Sequence, residues 1–211
     1  MTILSFHNED DFVSETLSII FRKLKIVENS KLNIALSGGT TPIPIYELLA
    51  KTPIAKSANF FQVDERYVQK YDEKSNQKMI IETLKPSHFF AFDTALPIEE
   101  SLKKYEENIP PFFNLTILGI GEDGHTASIF PNTPNQDSTE KTAHTQTENF
   151  DIKDRLTLTL NTILKSKEIL VLIKNKAKVL EQLTHPTLKP DQFPALHLLK
   201  HPNLHVHHLE V

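Results

Sequence analysis

The chain has 211 residues, 39% hydrophobic and 24% charged, which is the composition of an ordinary globular protein and excludes a disordered or fibrous one. A net charge of −4 lacks the basic excess of a general nucleic-acid binder, and no apolar run reaches the ~18 residues of a membrane span. Zero cysteines exclude disulfides, thiolate metal sites and cysteine nucleophiles; with an N-terminus, MTILSFHNEDDF, that turns acidic early and lacks the pattern of a signal peptide, a cytoplasmic protein is expected.

In chain order, Phe12, Leu17, Ile20, Phe21 and Leu24 recur at roughly helical spacing and predict a helix over 10–25. LNIAL (32–36) is a short apolar run that ends in SGGTTP, and IPIYELLAK then reads as a helix with Pro42 in its first turn. The same strand, loop and helix pattern returns as NFFQV (59–63), DER and a helix near 75–85. It returns again as FNLTILG (113–119), IGEDG and a helix opening around HTASIF. Residues 131–150 are polar and aperiodic and read as a long loop. RLTLTL (155–160) alternates as a half-buried strand should, EILVLI (168–173) is a buried strand, NKAKVLEQL is a helix, and LHVHHLEV closes the chain as a strand. Alternating strands and helices predict one α/β domain over 1–211, a mainly parallel sheet with helices on both faces. In such sheets the ligand sits beyond the carboxyl ends of the strands, where Ser37–Thr41, Asp64–Arg66 and Gly119–His125 all fall.

Average usage predicts about 15 glycines, but there are five, confined to two loops: Gly38 and Gly39, then Gly119, Gly121 and Gly124. SGGTTP has the parts of an anion cradle, namely two glycines, the hydroxyls of Ser37, Thr40 and Thr41, and a helix start; the same parts also make a plain capped turn. It lacks the G-K-[ST] ending of a triphosphate loop, so a phosphate monoester fits better. The second loop matches G-x-G-x-x-G, yet Glu122 and Asp123 carry the same sign of charge as a pyrophosphate and disfavour a dinucleotide. His125 follows it. At the start of the expected helix it is predicted to be a neutral imidazole, available as a general base or else structural.

Only three of the 23 basic residues are arginines, Arg22, Arg66 and Arg155. The Arg66 fork, following Asp64 and Glu65, suits a phosphate or carboxylate, or a surface ion-pair cluster. Six of the ten histidines follow residue 184, and His205 and His207 share a strand face, but no carboxylate pattern completes a metal site and none is expected.

LNIALSGGTTPIPIYELL, FFQVDERYV, SNQKMIIETL and FNLTILGIGEDGHTASIFP together resemble 6-phosphogluconolactonases in order and spacing, and RLTLTL with EILVLI continues the likeness over nearly the whole chain. The resemblance implies the Rossmann-like fold of the phosphosugar isomerase and CoA-transferase group. It also implies hydrolysis of 6-phospho-D-glucono-1,5-lactone to 6-phosphogluconate in the oxidative pentose phosphate pathway. Carried over by residue, His125 is the catalytic histidine and Asp64 the acid facing it. Ser37, Gly38, Gly39 and Thr40 match the sugar-phosphate loop, Gly121, Asp123 and Gly124 the second loop, and Arg66, Arg155 and Lys178 the basic positions. The chain departs from the pattern at Asn175, where glycine is usual, at Lys153 and Asp154, where a Pro-Pro pair is usual, and at Leu196, where serine is usual.

Ester hydrolysis needs an activated water, a stabilised oxyanion and a proton for the leaving oxygen, so His125 as base and then acid requires no cofactor. A phosphosugar deaminase or isomerase on the same fold, and a non-catalytic sugar-phosphate sensor, are the alternatives. Neither a nucleic-acid nor a membrane partner is expected, and the state is monomer or small homo-oligomer.

Overall fold

The computed structural model describes residues 1–24 and 31–211. In chain order β1 (Thr2–Phe6) and α1 (Glu9–Leu24) are followed by β2 (Asn33–Leu36), α2 (Ile43–Leu49), α3 (Ile54–Ser57), β3 (Asn59–Gln62), β4 (Asp64–Arg66) and α4 (Asn76–Leu84). Next come β5 (Phe89–Phe90), α5 (Ile98–Glu106), β6 (Leu115–Gly119), β7 (Thr142–Gln146) and β8 (Asp154–Leu158). The chain ends with α6 (Leu160–Ile163), β9 (Ile169–Lys174), α7 (Ala177–Thr184) and β10 (Leu204–Leu209).

Seven strands form one sheet in the order β1-β10-β9-β6-β2-β3-β5, and every neighbouring pair is parallel. Strands covered on both faces read as near-continuous apolar runs, which is why NIAL and ILVLI were legible. Period two sorts their side chains. Ile34, Leu36, Phe60, Ile117 and Leu172 pack under α1, α2 and α4, while Ala35, Phe61, Leu118, Val171 and Ile173 pack against α5, α7 and β8. A second, three-stranded sheet, β4-β8-β7, is antiparallel and stands beside the first.

Local chemistry sets the helix ends. Glu9, Asp10 and Asp11 open α1, and Arg22 and Lys23 close its last turn, matching the helix dipole. The expected helix over 10–25 is this one; residue 25 lies outside the described residues. Ser75 caps α4, its Oγ accepting from Lys78 N at 3.1 Å.

Four expectations change. The segment 2–6 is a strand that the acidic N-terminal reading passed over. No helix forms at HTASIF: Ile120 bridges Thr126, Thr126 bridges Ile129, and Ala127 takes φ +53°, a left-handed turn incompatible with a helix. The polar stretch 131–150 holds a 3₁₀ turn at Pro134–Asp137 and the strand β7. β8 is buried on both faces, because the alternating threonines are covered as fully as the leucines.

Candidate active site

The chain leaves β2 for β3 on one side of the sheet, whereas β6 lies on the other side of β2 and leads to β9. Loops at the carboxyl ends of β2 and β6 therefore part at a switch point and leave a crevice. A cleft of about 280 Å³ occupies it, lined by Ser37 to Pro42, Asp64, Arg66, Asn76, the end of β6 with Gly121, and His125, Ala127, Lys174 and Lys176.

The first wall is the loop after β2. Tyr46 of α2 donates to Ser37 O at 2.9 Å, and Ser37 N donates to Ile117 O at 3.0 Å, which pin the loop to α2 and β6. Burial, with the charge of Asp64, pushes the Tyr46 hydroxyl well up, so it stays a donor. Beyond Ser37 the amides of Gly38, Gly39, Thr40 and Thr41 have no acceptor among the described residues. Ser37 Oγ is also buried without a partner. Gly38 is obligatory because an added Cβ would lie 1.9 Å from Asn76 Oδ1.

The opposite wall is the turn after β6. Gly121 N donates to His125 O at 2.8 Å, Gly124 N to Gly121 O at 3.0 Å, and Thr126 Oγ1 to Gly119 O at 3.0 Å. His125 Nδ1 meets Asp123 Oδ1 at 2.5 Å. Burial opposes the charge on Asp123, but the hydrogen bond and charge of His125 hold its carboxyl below the ordinary value. A carboxylate at Nδ1 selects the tautomer with Nδ1–H, which leaves Nε2 carrying the lone pair. The imidazole packs against Phe130 at 5.1 Å between centroids. A Cβ on Gly121 would lie 2.2 Å from the ring, so only glycine leaves room for it.

β4 supplies the floor. Asp64 is 7% exposed and accepts from Ser128 Oγ at 2.7 Å, while Asn76 Nδ2 donates to Asp64 O at 2.9 Å. Glu65 faces away and ties β4 to α4: its carboxylate accepts from Asn76 N, Gln77 N, Ser75 Oγ, Gln62 Nε2 and Arg66 N. Burial raises its carboxyl and these donors pull it back. Arg66 Nη1 donates to Lys74 O at 2.6 Å, and across the ladder Arg66 stands opposite Arg155.

Residues 7–206 match the family described as glucosamine-6-phosphate isomerases/6-phosphogluconolactonase. The chain belongs to the glucosamine-6-phosphate isomerase/6-phosphogluconolactonase family. A 6-phosphogluconolactonase of Thermotoga maritima is 37% identical over 196 residues, covering 88% of this chain and 87% of that protein. A probable 6-phosphogluconolactonase of Dictyostelium discoideum is 34% identical over 197 residues, 84% of each. The crystal structure of the Thermotoga maritima 6-phosphogluconolactonase superposes with a TM-score of 0.87 at 32% identity, covering 100% of this chain and 99% of that one.

Against the family pattern, the basic positions need correction. Lys178, expected at the cleft, is exposed in the first turn of α7 and does not line it. Lys176 lines it instead, and its Nζ donates to Ile120 O at 2.7 Å. Asn175, in place of the family's usual glycine, has φ +55°, a left-handed position that asparagine tolerates, and its Oδ1 accepts from Val211 N. Arg155 lines an adjoining recess of about 460 Å³ together with Arg66, Lys74, Asn76 and Phe150. Burial, then the charge of Arg66, lowers its guanidinium from the ordinary value. Asp123 and Gly124 stand behind His125 rather than in the cleft, Gly124 against Phe193. Leu196, where the resemblance led to an expected serine, is packed in the core, and Asp154 of the Lys153–Asp154 pair accepts from His144 Nε2 at 2.7 Å.

Residues that motif reading missed are Asn76, Ser128 and Lys176. Asn76 and Ser128 lay inside quoted segments, but nothing local signals that they meet Asp64. The late histidines are engaged elsewhere: His205 with Glu168 at 2.9 Å, and His207 with Thr16 at 2.8 Å. Burial, with His205 nearby, holds the His207 imidazole down at about 4. Among the described residues no three or more His, Asp or Glu side chains form a metal-holding group, and no helix is long and apolar enough to cross a membrane.

Proposed function

We propose that this chain hydrolyses 6-phospho-D-glucono-1,5-lactone to 6-phosphogluconate, the lactone-opening step of the oxidative pentose phosphate pathway, through a single domain spanning 1–211. The observation that carries the reading is the pairing of His125 with Asp123 across a cleft from four consecutive amides that have no acceptor among the described residues. Family membership supports it, since the relatives compared are named for this activity.

His125 Nε2 removes a proton from water, and the hydroxide attacks the lactone carbonyl. Asp123, its second oxygen buried without a partner, orients the imidazole and stabilises the imidazolium as it forms. When the tetrahedral intermediate collapses, His125 returns the proton to the departing ring oxygen, so the imidazole ends as it began. The amides of Gly121 and Gly124 are already engaged and do not serve the oxyanion; Arg66 and Lys176 supply positive charge in the cleft. Ser37, Gly38, Gly39 and Thr40 bind the phosphate through free N–H groups and hydroxyls, which positions the distant carbonyl. Asp64, fixed by Ser128, orients water or a sugar hydroxyl. The wider groove of about 920 Å³ between α1 and α2 is lined by three acids, Glu9, Asp10 and Glu47, and by Arg22, with Lys174 already paired to Glu9, and this acidic excess does not suit an anionic substrate.

The test is to generate the lactone with glucose-6-phosphate dehydrogenase and follow its loss. Acceleration by the wild-type protein, with gluconolactone lacking the phosphate turned over at least tenfold less efficiently, is expected. A wild-type rate equal to the spontaneous one overturns the activity, and equal turnover of the two lactones overturns the phosphate assignment.

A further inference from the structure

The segment between β7 and β8 folds back beside the cleft, where Phe150, Asp151 and Ile152 line the adjoining recess. Thr147 N donates to Lys153 O at 3.2 Å and closes its neck, while Asp151 pairs with Lys74 at 2.9 Å and ties its tip to the far rim. At that tip Phe150 is 42% exposed. Its ring has three neighbours. It meets the His125 imidazole nearly edge-on, at 5.6 Å and 79°, and lies 6.0 Å from Phe130; the Arg155 guanidinium stands 5.5 Å from its centroid. His125 therefore has a buried phenyl on its inner side, Phe130, and a removable one on its outer side. Arg155 needs such a neighbour. It faces the like charge of Arg66 across the ladder, and its own hydrogen bond, Nε to Ile152 O at 3.0 Å, belongs to the same segment.

We infer that Phe150 is a positioning residue that joins the reacting end of the site to its second arginine. It holds the imidazole against Asp123 by an edge contact and the guanidinium at the rim by a cation–π contact. A phenyl serves both because its rim is electropositive and its faces are electronegative. An aliphatic side chain of similar bulk fills the space and supplies neither. The segment's polar, aperiodic sequence hid this ring, since a lone Phe in a loop carries no periodic signal. The inference rests on the lactonase reading for its kinetic consequence but not for its geometry.

The experiment compares Phe150→Leu, Phe150→Ala and Phe150→Tyr with wild type in the lactone assay, together with the NMR resonances of the His125 ring protons and the Arg155 Nε–H. Two weak contacts of this kind together correspond to about tenfold in rate. The expected result is a kcat/KM about tenfold lower in Phe150→Leu and Phe150→Ala, divided between a lower kcat through His125 and a higher KM through Arg155, with Phe150→Tyr within about twofold of wild type. Both sets of resonances shift in Phe150→Leu. Full activity in Phe150→Leu shows that bulk alone matters and overturns the inference, as does a loss in Phe150→Tyr equal to that in Phe150→Ala. If wild type fails to accelerate lactone loss, the function is overturned separately and solvent exchange of His125 Nδ1–H and Arg155 Nε–H decides: exchange rates unchanged in Phe150→Leu overturn the bridge, and faster exchange at both supports it.

Discussion

The two glycine loops follow adjacent parallel strands and face each other, yet they use their backbone in opposite ways. The loop after β2 leaves the N–H groups of Gly38 to Thr41 without acceptors among the described residues. The turn after β6 engages its amides internally, Gly121 to His125 O and Gly124 to Gly121 O, and so fixes one imidazole. Glycine serves a different need in each: in the first it admits Asn76 over the backbone, in the second the His125 ring. One loop leaves its donors open and the other holds a side chain still. Under the proposed function, binding and chemistry fall to separate backbones that share a sheet edge.

Substitutions can divide them. His125→Ala should lower kcat by about 10²–10⁴-fold with little change in KM, measured on enzymatically generated lactone. A full-rate variant would remove the second loop from the chemistry. Asp123→Asn keeps the shape but loses the charge that selects the tautomer, and about 10²-fold in kcat is expected. Gly38→Ala should act in the other sense, raising KM about tenfold or more and lowering stability by about 1–3 kcal/mol as Asn76 is displaced. If kcat fell and KM held, the division between the loops would be wrong. The smallest effect is a pH dependence. Because the Asp123 carboxyl is held below its ordinary value in the fold, it contributes stability that is present above about pH 4 and is lost as pH falls through the lowered value. The wild-type advantage over Asp123→Asn in urea unfolding, under about 1 kcal/mol, should vanish on that acid limb.

The sequence revealed what repeats along it or is scarce within it. Continuous apolar runs announced β2, β3, β6 and β9, and two glycine clusters announced both walls of the cleft. Long-range pairing hid the rest. Thr126–Ser128 resemble the small, polar start of a helix, but Thr126 is fully buried and bonded back to Gly119 O, and Ser128 is drawn to Asp64. β7, TAHTQ, has no apolar alternation and exists because β8 pairs with it. Lys176 and Lys178 differ by two positions, and which one enters the cleft depends on the left-handed Asn175, invisible in a pattern of lysines.

The register of β4 against β8 sets Arg66 opposite Arg155, close enough that the charge of Arg66 bears on the Arg155 guanidinium. Their repulsion is a cost that a dianion bound between them would remove. Ligand binding and ionic strength therefore act on one quantity. Added NaCl should raise the melting temperature of the free protein by screening the pair, and inorganic phosphate at low ionic strength should raise it further. The gain from phosphate should shrink as NaCl increases, so that the arginine pair behaves as an electrostatic spring that a bound dianion would release.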